Sequence, residues 1–466
     1  THMHRCRRYT RKTISDGRPK FSIPLKVGVW RRVGAFFNPG LRARDNVSAL
    51  DSLFGDDAAV LGDRRFQLLL LANLLPPLGT ALLSPVLDSL IDPFGTTPAN
   101  IGLMMSFFTA PPILVIPLAG VLADRYGRKP VIVASLLLFG GAGSAIALTT
   151  DFRVALGLRL LQGAAFGGLT PVIITSIGDL YAGTREATAQ GLRFTGSGLA
   201  QTAFPLIAGL VVTVAWQLPF LIYAMAFPVA LLVALRFEEP ATPTETETTV
   251  DEREGSYARD LFALIRKPRV LSLVLARGLP IVVWIAFLTY NSIIVVQIQG
   301  GTPGEAGLLV ALGSLAYAAA ASQAGRITAL VDSRFVPLVA AHAGLAAGFV
   351  VVLYAPGVGL AGVGIVLSGA GFGTALSLYR SIVTSLAPRD LRAGVVSLAE
   401  ANGRLVATVT PILMGAAIGM AEPQVGFTTA LRLSGIGAAV VGSAGGVLCL
   451  LVARLSPRTV AERSGS

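Results

Sequence analysis

Long apolar runs recur along most of the chain and constrain its fold more than any other feature. A helix that crosses a bilayer needs about 20 apolar residues, and such runs follow one another between residues 66 and 455. Only 14% of the residues are charged and the mean hydropathy is +0.68, which is too apolar for an ordinary soluble domain. The period-2 alternation of membrane β-barrels is absent, so helices are the expected spanning structure. We therefore predict an all-α membrane protein with twelve transmembrane helices, at 66–90, 99–121, 130–149, 153–177, 189–213, 217–236, 270–298, 305–326, 335–354, 357–380, 393–418 and 426–453.

The polar segments divide the chain into two six-helix bundles, 66–236 and 270–455. Residues 1–65 carry 14 Lys or Arg against 6 Asp, and we expect a disordered, basic cytoplasmic tail without the apolar core of a signal peptide. Binding of RNA or anionic lipid by "RCRRYTRK" is the alternative for this tail. Residues 237–269, rich in Thr, Glu and Pro, predict a flexible, acidic cytoplasmic linker, and 456–466 form a second tail.

Basic residues are concentrated in alternate loops, namely those that follow spans two, four, eight and ten. All of these loops lie on the same side of the predicted membrane. The positive-inside rule places those loops, and both termini, in the cytoplasm. We therefore expect a multi-pass protein of the plasma membrane of a prokaryote. The formal charge of +12 then requires no nucleic acid as partner.

The two bundles are copies of one another at an offset near 205 residues. "LANLLP" from residue 71 matches "LARGLP" from residue 275, and "GAAFGG" from residue 163 matches "GAGFGT" from residue 369. Because each copy has an even number of spans, both enter the membrane in the same direction, so the repeats are parallel and related by an axis along the membrane normal. This arrangement is typical of a carrier that alternates access to a central site.

The loop "GVLADRYGRKP", residues 120–130, resembles the signature between helices two and three of the major facilitator superfamily, and the resemblance extends over residues 66–455. An ordinary basic loop would explain the cations but not the Gly-x-x-x-Asp-x-x-Gly spacing. The resemblance implies that Asp124 caps helix eleven and that Arg128 pairs with Asp179, closing the cytoplasmic side as a gate. We expect Gly120 to allow close helix contact and Gly127 a tight turn. The gate residues are Gly120, Asp124, Arg125, Gly127, Arg128, Lys129 and Asp179.

Charged residues within the predicted spans are the candidates for proton coupling, because intramembrane charge is costly. Arg159 in "GLRLLQG" resembles a second family motif, whose Arg is implicated in proton transfer in drug exporters. We expect Asp88, on one helix face with Asn73, Thr80 and Ser84, to be the titrating carboxylate and Arg159 its partner. The alternatives are a structural role for Arg159 and a solvated Asp88 at the helix end.

A second pair, Glu400 and Arg404, lies one helical turn apart and is either a proton-coupling site or an i,i+4 ion pair of structural value. Arg277 and Trp284 occupy the repeat positions of Asn73 and Thr80, so we expect them to line the cavity. Arg277 predicts an acidic group on the substrate or on a facing helix. The candidates for the substrate cavity are Asn73, Thr80, Ser84, Gln162, Gln201, Arg277, Trp284 and Asn291.

Helix five resembles the antiporter motif of the family through Gly196, Gly198, Pro205 and Gly209, although Phe204 replaces a motif glycine. No nucleotide-binding, metalloprotease or serine-hydrolase motif occurs, so we predict no enzyme, cofactor or metal site. We predict a monomeric, proton-coupled exporter of small amphipathic or drug-like compounds. A proton symporter for a sugar, amino acid or organic anion is the alternative, and a sensor that moves nothing is the third.

Overall fold

The computed structural model describes residues 59–239, 251–331 and 333–457. Twelve helices within these ranges are long and apolar enough to cross a membrane, which confirms the predicted fold class. The expected basic tail falls almost wholly outside the described residues, as does most of the C-terminal tail. The spanning helices, α1 to α12, are Arg64–Val86, Leu103–Tyr126, Arg128–Leu148, Phe152–Leu180, Thr184–Val211, Leu218–Arg236, Pro268–Ile298, Pro303–Val331, Phe335–Tyr354, Val358–Ser385, Asp390–Val425 and Phe427–Leu455.

Helix α1 is not one continuous α-helix, contrary to the expectation of a single polar face through Asp88. Regular α-helix ends at Asn73, resumes over Leu78–Ala81, and gives way to short 3₁₀ turns at Ser84–Val86 and Asp88–Leu90. Pro76 and Pro77 lie in the interruption, and a proline has no N–H for the helical hydrogen bond. The 3.6-residue period used to align Asn73 with Asp88 therefore does not hold across this segment.

Several helices are longer than the predicted spans, most of all α11. The predicted spans end where the apolar sequence ends, whereas the helices continue through the polar residues that follow. The linker between the bundles also differs from its prediction. Asp251–Ile265 forms an α-helix, here called the linker helix, which packs on α11 at Gly394. The predicted flexible linker therefore contains a helix over this segment.

The two bundles repeat the same internal contacts at equivalent positions. Asn73 of α1 donates to the carbonyl of Arg193 in α5 at 3.0 Å, and its repeat equivalent Arg277 of α7 donates to the carbonyl of Ala399 in α11 at 3.4 Å. Gly163 packs against the backbone of Phe108 as Gly369 packs against that of Gly313. The duplication in the sequence is thus a duplication of hydrogen bonds and helix contacts.

The bundles meet in two reciprocal contacts at one end of the molecule. Gly209 of α5 lies against the backbone of Pro303 at the start of α8, and Gly415 of α11 lies against the backbone of Ala99 just before α2. A Cβ at either glycine would collide with those backbone atoms. We call this the opposite end, and the end that carries residues 120–130 the basic end.

Candidate transport site

The loop between α2 and α3 is held by charged contacts within the first bundle. Arg128 donates through one amino group to Asp124 at 2.7 Å and through Nε to Asp179 at the end of α4 at 3.1 Å. Gly127 adopts φ +95°, a left-handed conformation that favours glycine, and Glu239 accepts the backbone N–H of Arg128. An anion at this position interacts favourably with the N-terminus of α3.

Among the described residues, Asp124 makes no hydrogen bond or ion pair with α11 of the kind that the resemblance implies. Asp124 pairs within its own bundle, and Pro388, which precedes α11, makes no side-chain cap. A Cβ added at Gly120 would meet no atom within 4 Å, so this glycine is not at a close helix contact here. Arg125 stacks on Tyr126, and Lys129 lines a recess with Asp63 and Arg236.

Arg159 of α4 is fully buried without a carboxylate partner among the described residues. Its guanidinium donates to the carbonyls of Met104 at 3.0 Å and Gly79 at 2.5 Å, and to Gln162 Oε1 at 2.6 Å. It also lies 4.4 Å from the ring centre of Phe108. These contacts tie α4 to α1 and α2, as the structural alternative expects.

Asp88 lies beyond the spanning part of α1, at the opposite end. Gln297 Nε2 donates to its carboxylate at 2.7 Å, and its backbone N–H donates to Ser292 Oγ at 2.9 Å. Burial raises the pKa of the Asp88 carboxyl, the hydrogen bond from Gln297 opposes that rise, and the nearby charge of Asp92 adds to it. The structure does not bring Asp88 and Arg159 together, because α1 is interrupted before Asp88.

The second candidate pair forms part of a larger group between the bundles. Arg277 of α7 hydrogen-bonds Glu400 of α11, and Arg380 of α10 lies 3.6 Å from the same carboxylate oxygen. The Arg277 side chain is 5% exposed, whereas those of Glu400 and Arg380 are 41% and 52% exposed. Glu400 is thus an acidic group on a facing helix, as we expected from the presence of Arg277 in the apolar sequence.

Two further arginines complete this group, which we call the arginine cluster: Arg193, Arg277, Arg380, Arg404 and Glu400. Arg404 interacts electrostatically with Glu400 and Arg277, and it lies 5.4 Å from the ring centre of Phe166 in the first bundle. Arg193 of α5 lies close enough to Arg380 for the two positive charges to repel each other. Both cations face Phe194, at 4.3 and 5.5 Å from its ring centre. The cluster therefore spans both bundles.

Aromatic side chains lie beside the cluster. Trp284 stacks on Phe372 with ring centres 4.9 Å apart and planes 5° from parallel, and Tyr317 lies 5.4 Å from Phe372. Tyr317 also lies near Arg380 and Arg277, so the aromatic group adjoins the cluster. A site of this composition can bind a charged group and a flat apolar group side by side.

The remaining cavity candidates divide between helix contacts and buried polar groups. Asn73 donates to the backbone of α5 and to Ser197 Oγ, and Asn291 donates to the carbonyl of Ala306 at 2.9 Å. The side-chain oxygen of Gln162 accepts a hydrogen bond from Arg159. Ser84 is buried, and its hydroxyl has no hydrogen-bond partner among the described residues. Thr80 and Gln201 are partly buried.

The helix-five motif residues have different surroundings. Gly209 and Pro205 pack on the start of α8, where Gly307 lies against the carbonyl of Pro205. Gly196 instead packs on leucines of α1, and a Cβ at Gly198 would meet no atom within 4 Å. The motif therefore makes its contact between bundles at the opposite end only.

Sequence reasoning missed Arg193 and Arg380. Arg193 lies within a predicted span, and an intramembrane charge is a signal that would have identified it. Arg380 closed the predicted tenth span and read as an end residue. Only the structure shows that the two side chains face one aromatic ring from different bundles.

Comparison with known proteins agrees with this architecture. A bacillibactin exporter of Bacillus subtilis (strain 168) is 32% identical over 31% of this chain and 37% of its own length. A 3-(3-hydroxy-phenyl)propionate transporter of Escherichia coli (strain K12) is 28% identical over 72% of this chain and 82% of its own length. The chain thus spans little more than a third of the first relative but most of the second.

A bacterial homologue of the human lysosomal transporter Spinster, solved in an inward-facing and unoccupied conformation, has the same fold. It superimposes with a TM-score of 0.71 at 18% identity, covering 85% of this chain and 98% of its own. The profile of the Major Facilitator Superfamily matches residues 69–411. The chain belongs to the Major Facilitator Superfamily, whose members are membrane transporters and not enzymes.

Proposed function

We propose that this transporter works by alternating access and that the structure represents its state open to the cytoplasm. The observation that carries this proposal is the asymmetry between the two ends. Gly209 and Gly415 are in backbone contact across the bundles at the opposite end, while Asp124 at the basic end pairs only within its own bundle. The density of Lys and Arg supports a cytoplasmic location for the basic end and both termini, in a plasma membrane.

In this proposal Asp124 moves to the N-terminus of α11 when the basic end closes. An exposed carboxylate gains modest energy from a helix N-terminus, about 0.3–1 kcal/mol. Such a contact is strong enough to bias an equilibrium and weak enough to be broken in each cycle. Arg128, held by Asp179, would position the loop in both states.

The cargo that we propose is a small amphipathic compound, exported in exchange for protons. The exporter among the relatives supports this direction. Glu400 is the coupling carboxylate favoured by its surroundings, because it is half-exposed and lies between two guanidinium groups. One proton moving through 100 mV releases about 2.3 kcal/mol. A tenfold gradient requires about 1.4 kcal/mol, so one proton sustains roughly fiftyfold accumulation.

A proton symporter is the second candidate, and the position of Glu400 is the observation that favours it. If the substrate carries an anionic group, that group competes with Glu400 for Arg277 and Arg380. A protonated Glu400 releases the two arginines, so the proton and an anion would bind together. Binding together is the requirement for symport, whereas exclusion of one by the other is the requirement for antiport.

The direction is tested with the full chain reconstituted into proteoliposomes that contain a pH-sensitive dye. An imposed proton gradient should drive substrate against the proton flow if the protein is an antiporter, and with it if the protein is a symporter. Binding of substrate without any flux under either gradient would contradict both and favour a sensor. Empty liposomes under the same gradient give the passive leak.

A further inference from the structure

The arginine cluster contains more positive charge than its own residues neutralise. It has four guanidinium groups, at Arg193, Arg277, Arg380 and Arg404, and one carboxylate, at Glu400. Arginine stays protonated in proteins, so it cannot lose its charge as a buried lysine can. Formally, three positive charges are left without an anion among the described residues.

The depth of the cluster makes this excess costly. Arg193 lies nine residues from the first residue of α5, and Arg277 nine residues from that of α7. At 1.5 Å per residue, this is about 14 Å along each helix from the basic end. Charges at such depth are expensive and face a bundle interior or a water-filled space. Arg193 and Arg277 are 5% and 4% exposed, so water screens them little.

The side-chain hydrogen bonds of Arg193 go to neutral groups, and Arg380 and Arg404 share Glu400 with Arg277. Arg193 donates to Gln190 Oε1 at 2.9 Å and to Asn73 Oδ1 at 3.3 Å. Arg380 and Arg404 face the rings of Phe194 and Phe166, which attract a cation without neutralising it. Arg277, Arg380 and Arg404 therefore share the single carboxylate of Glu400, and Arg193 has no carboxylate partner among the described residues.

The aromatic side chains define the rest of the ligand. Phe194 lies between two cations, and the stacked pair Trp284 and Phe372 continues from Tyr317. Rings in this arrangement bind a flat apolar group through offset or edge contacts. A carboxylate or sulfonate on the same molecule would accept paired hydrogen bonds from the planar guanidinium groups.

We propose that the arginine cluster selects substrates that are aromatic anions. This inference rests on the proposed alternating-access transport and names a substrate class for it; an anionic substrate favours the symport candidate over the antiport candidate. The anion supplies the missing negative charge between Arg193 of the first bundle and Arg380 of the second. Without it the two cations repel each other, so a bound anion favours closure of the bundles at the basic end.

The test measures binding of three matched probes to the purified full chain in detergent: naphthalene-2-carboxylate, 2-naphthamide and 2-naphthylmethylammonium. We expect the carboxylate to bind at least tenfold more tightly than the amide, and the ammonium to bind most weakly. Equal affinity for the carboxylate and the amide, or preference for the ammonium, would overturn the proposal. This comparison needs no variant and so does not depend on the folding of one.

Variants then locate the site. Arg380→Gln should weaken binding of the carboxylate at least tenfold and leave the amide unchanged, and Arg380→Lys should restore part of the loss. Arg236→Gln, at the exposed end of α6, is the matched control and should change neither probe. An equal loss in Arg236→Gln would show a general charge effect and contradict the site.

Failure of the proposed substrate class and failure of the proposed transport function would give different results. A preference for the carboxylate without flux of any probe in proteoliposomes would contradict the proposed function while the inference stands. Gradient-driven flux of the amide or the ammonium, with no preference for the carboxylate, would contradict the inference while transport stands.

Discussion

The backbone N–H of Asp88 donates to Ser292 Oγ at 2.9 Å, joining the ends of α1 and α7. The two residues are 204 positions apart and therefore occupy equivalent places in the two bundles. With the hydrogen bond from Gln297 to Asp88, this contact belongs to the closed opposite end.

Asp88→Asn should reduce the dependence of thermal stability on pH. Burial raises the pKa of Asp88, so the folded protein binds this proton more readily than the unfolded chain. The resulting contribution to stability is complete below the ordinary carboxyl value of 3.8 and is lost as pH rises through the raised value. Unfolding midpoints in detergent across acidic pH should therefore shift less in Asp88→Asn than in the unmodified chain.

Asp92→Asn provides the comparison for that experiment. The charge of Asp92 is one cause of the raised pKa of Asp88. Removing that charge should therefore make the unfolding midpoint depend less on pH, without abolishing the dependence. If Asp88→Asn retains the full pH dependence of stability, another group is responsible.

We further expect Asp88→Asn to keep gradient-driven transport, because the structure places Glu400, and not Asp88, beside the arginines.

Gly209→Ala should destabilise the protein and shift it away from the state described here. A Cβ at this position would collide with the carbonyl of Pro303, and overpacking typically costs about 1–3 kcal/mol. A lower unfolding midpoint, and greater labelling of a cysteine introduced at the opposite end, are the expected results. Gly198→Ala, on the same helix with open space at its Cβ, should be neutral or slightly stabilising. Equal midpoints for the two variants would contradict the proposed close contact.

Asp124→Asn should slow transport at least tenfold while changing stability little. In this state Asp124 makes only an exposed i,i+4 pair with Arg128, which contributes up to about 1 kcal/mol. Its larger role is proposed for the state closed at the basic end. Initial rates of substrate exchange, measured with unfolding midpoints, separate the two effects. Arg185→Gln, in the first turn of α5 at the same end, is the control, and a similar loss of rate there would argue against a gate at Asp124.

Glu400→Gln should uncouple transport from the proton gradient. The glutamine cannot exchange a proton but can still accept a hydrogen bond from Arg277. We expect substrate exchange without a gradient to persist, while accumulation driven by a proton gradient falls at least tenfold. Glu305→Gln changes a carboxylate bound to Thr302 at the opposite end and should leave accumulation intact. Full accumulation in Glu400→Gln would exclude Glu400 as the coupling residue.

The fold could be predicted almost entirely from the sequence, because the bilayer reduces the choice to apolar helices of a minimum length. The contacts also agree with the repeat offset, since Pro205 and Pro411 lie at equivalent places beside Gly307 and Gly102. Helix ends were less accurate, since α11 continues as a helix well into polar sequence. The linker helix was missed because its charged residues, and the threonine-rich sequence before it, conceal the contact of Tyr257 and Leu261 with Gly394.

The site was predicted only in part. Arg277, Glu400 and Arg404 were recognised by their depth in apolar sequence, and the structure brings them together. Asp88 and Arg159 were paired on the assumption of a regular α1, which Pro76 and Pro77 interrupt. Arg193 and Arg380 lie 187 positions apart in sequence, and only the packing of two bundles places them at one aromatic ring.

The paired hydrogen bonds from Asn73 to the Arg193 carbonyl and from Arg277 to the Ala399 carbonyl have an evolutionary consequence. In the first bundle this place holds a neutral amide, which bonds to the backbone of α5 and to the Arg193 guanidinium. In the other copy an arginine at the same place fastens the helix and also carries a charge to Glu400. The same hydrogen bond between helices is thus made by an uncharged side chain in one half of the duplicated chain and by a cation in the other, so the two halves can differ in charge while sharing one helix contact.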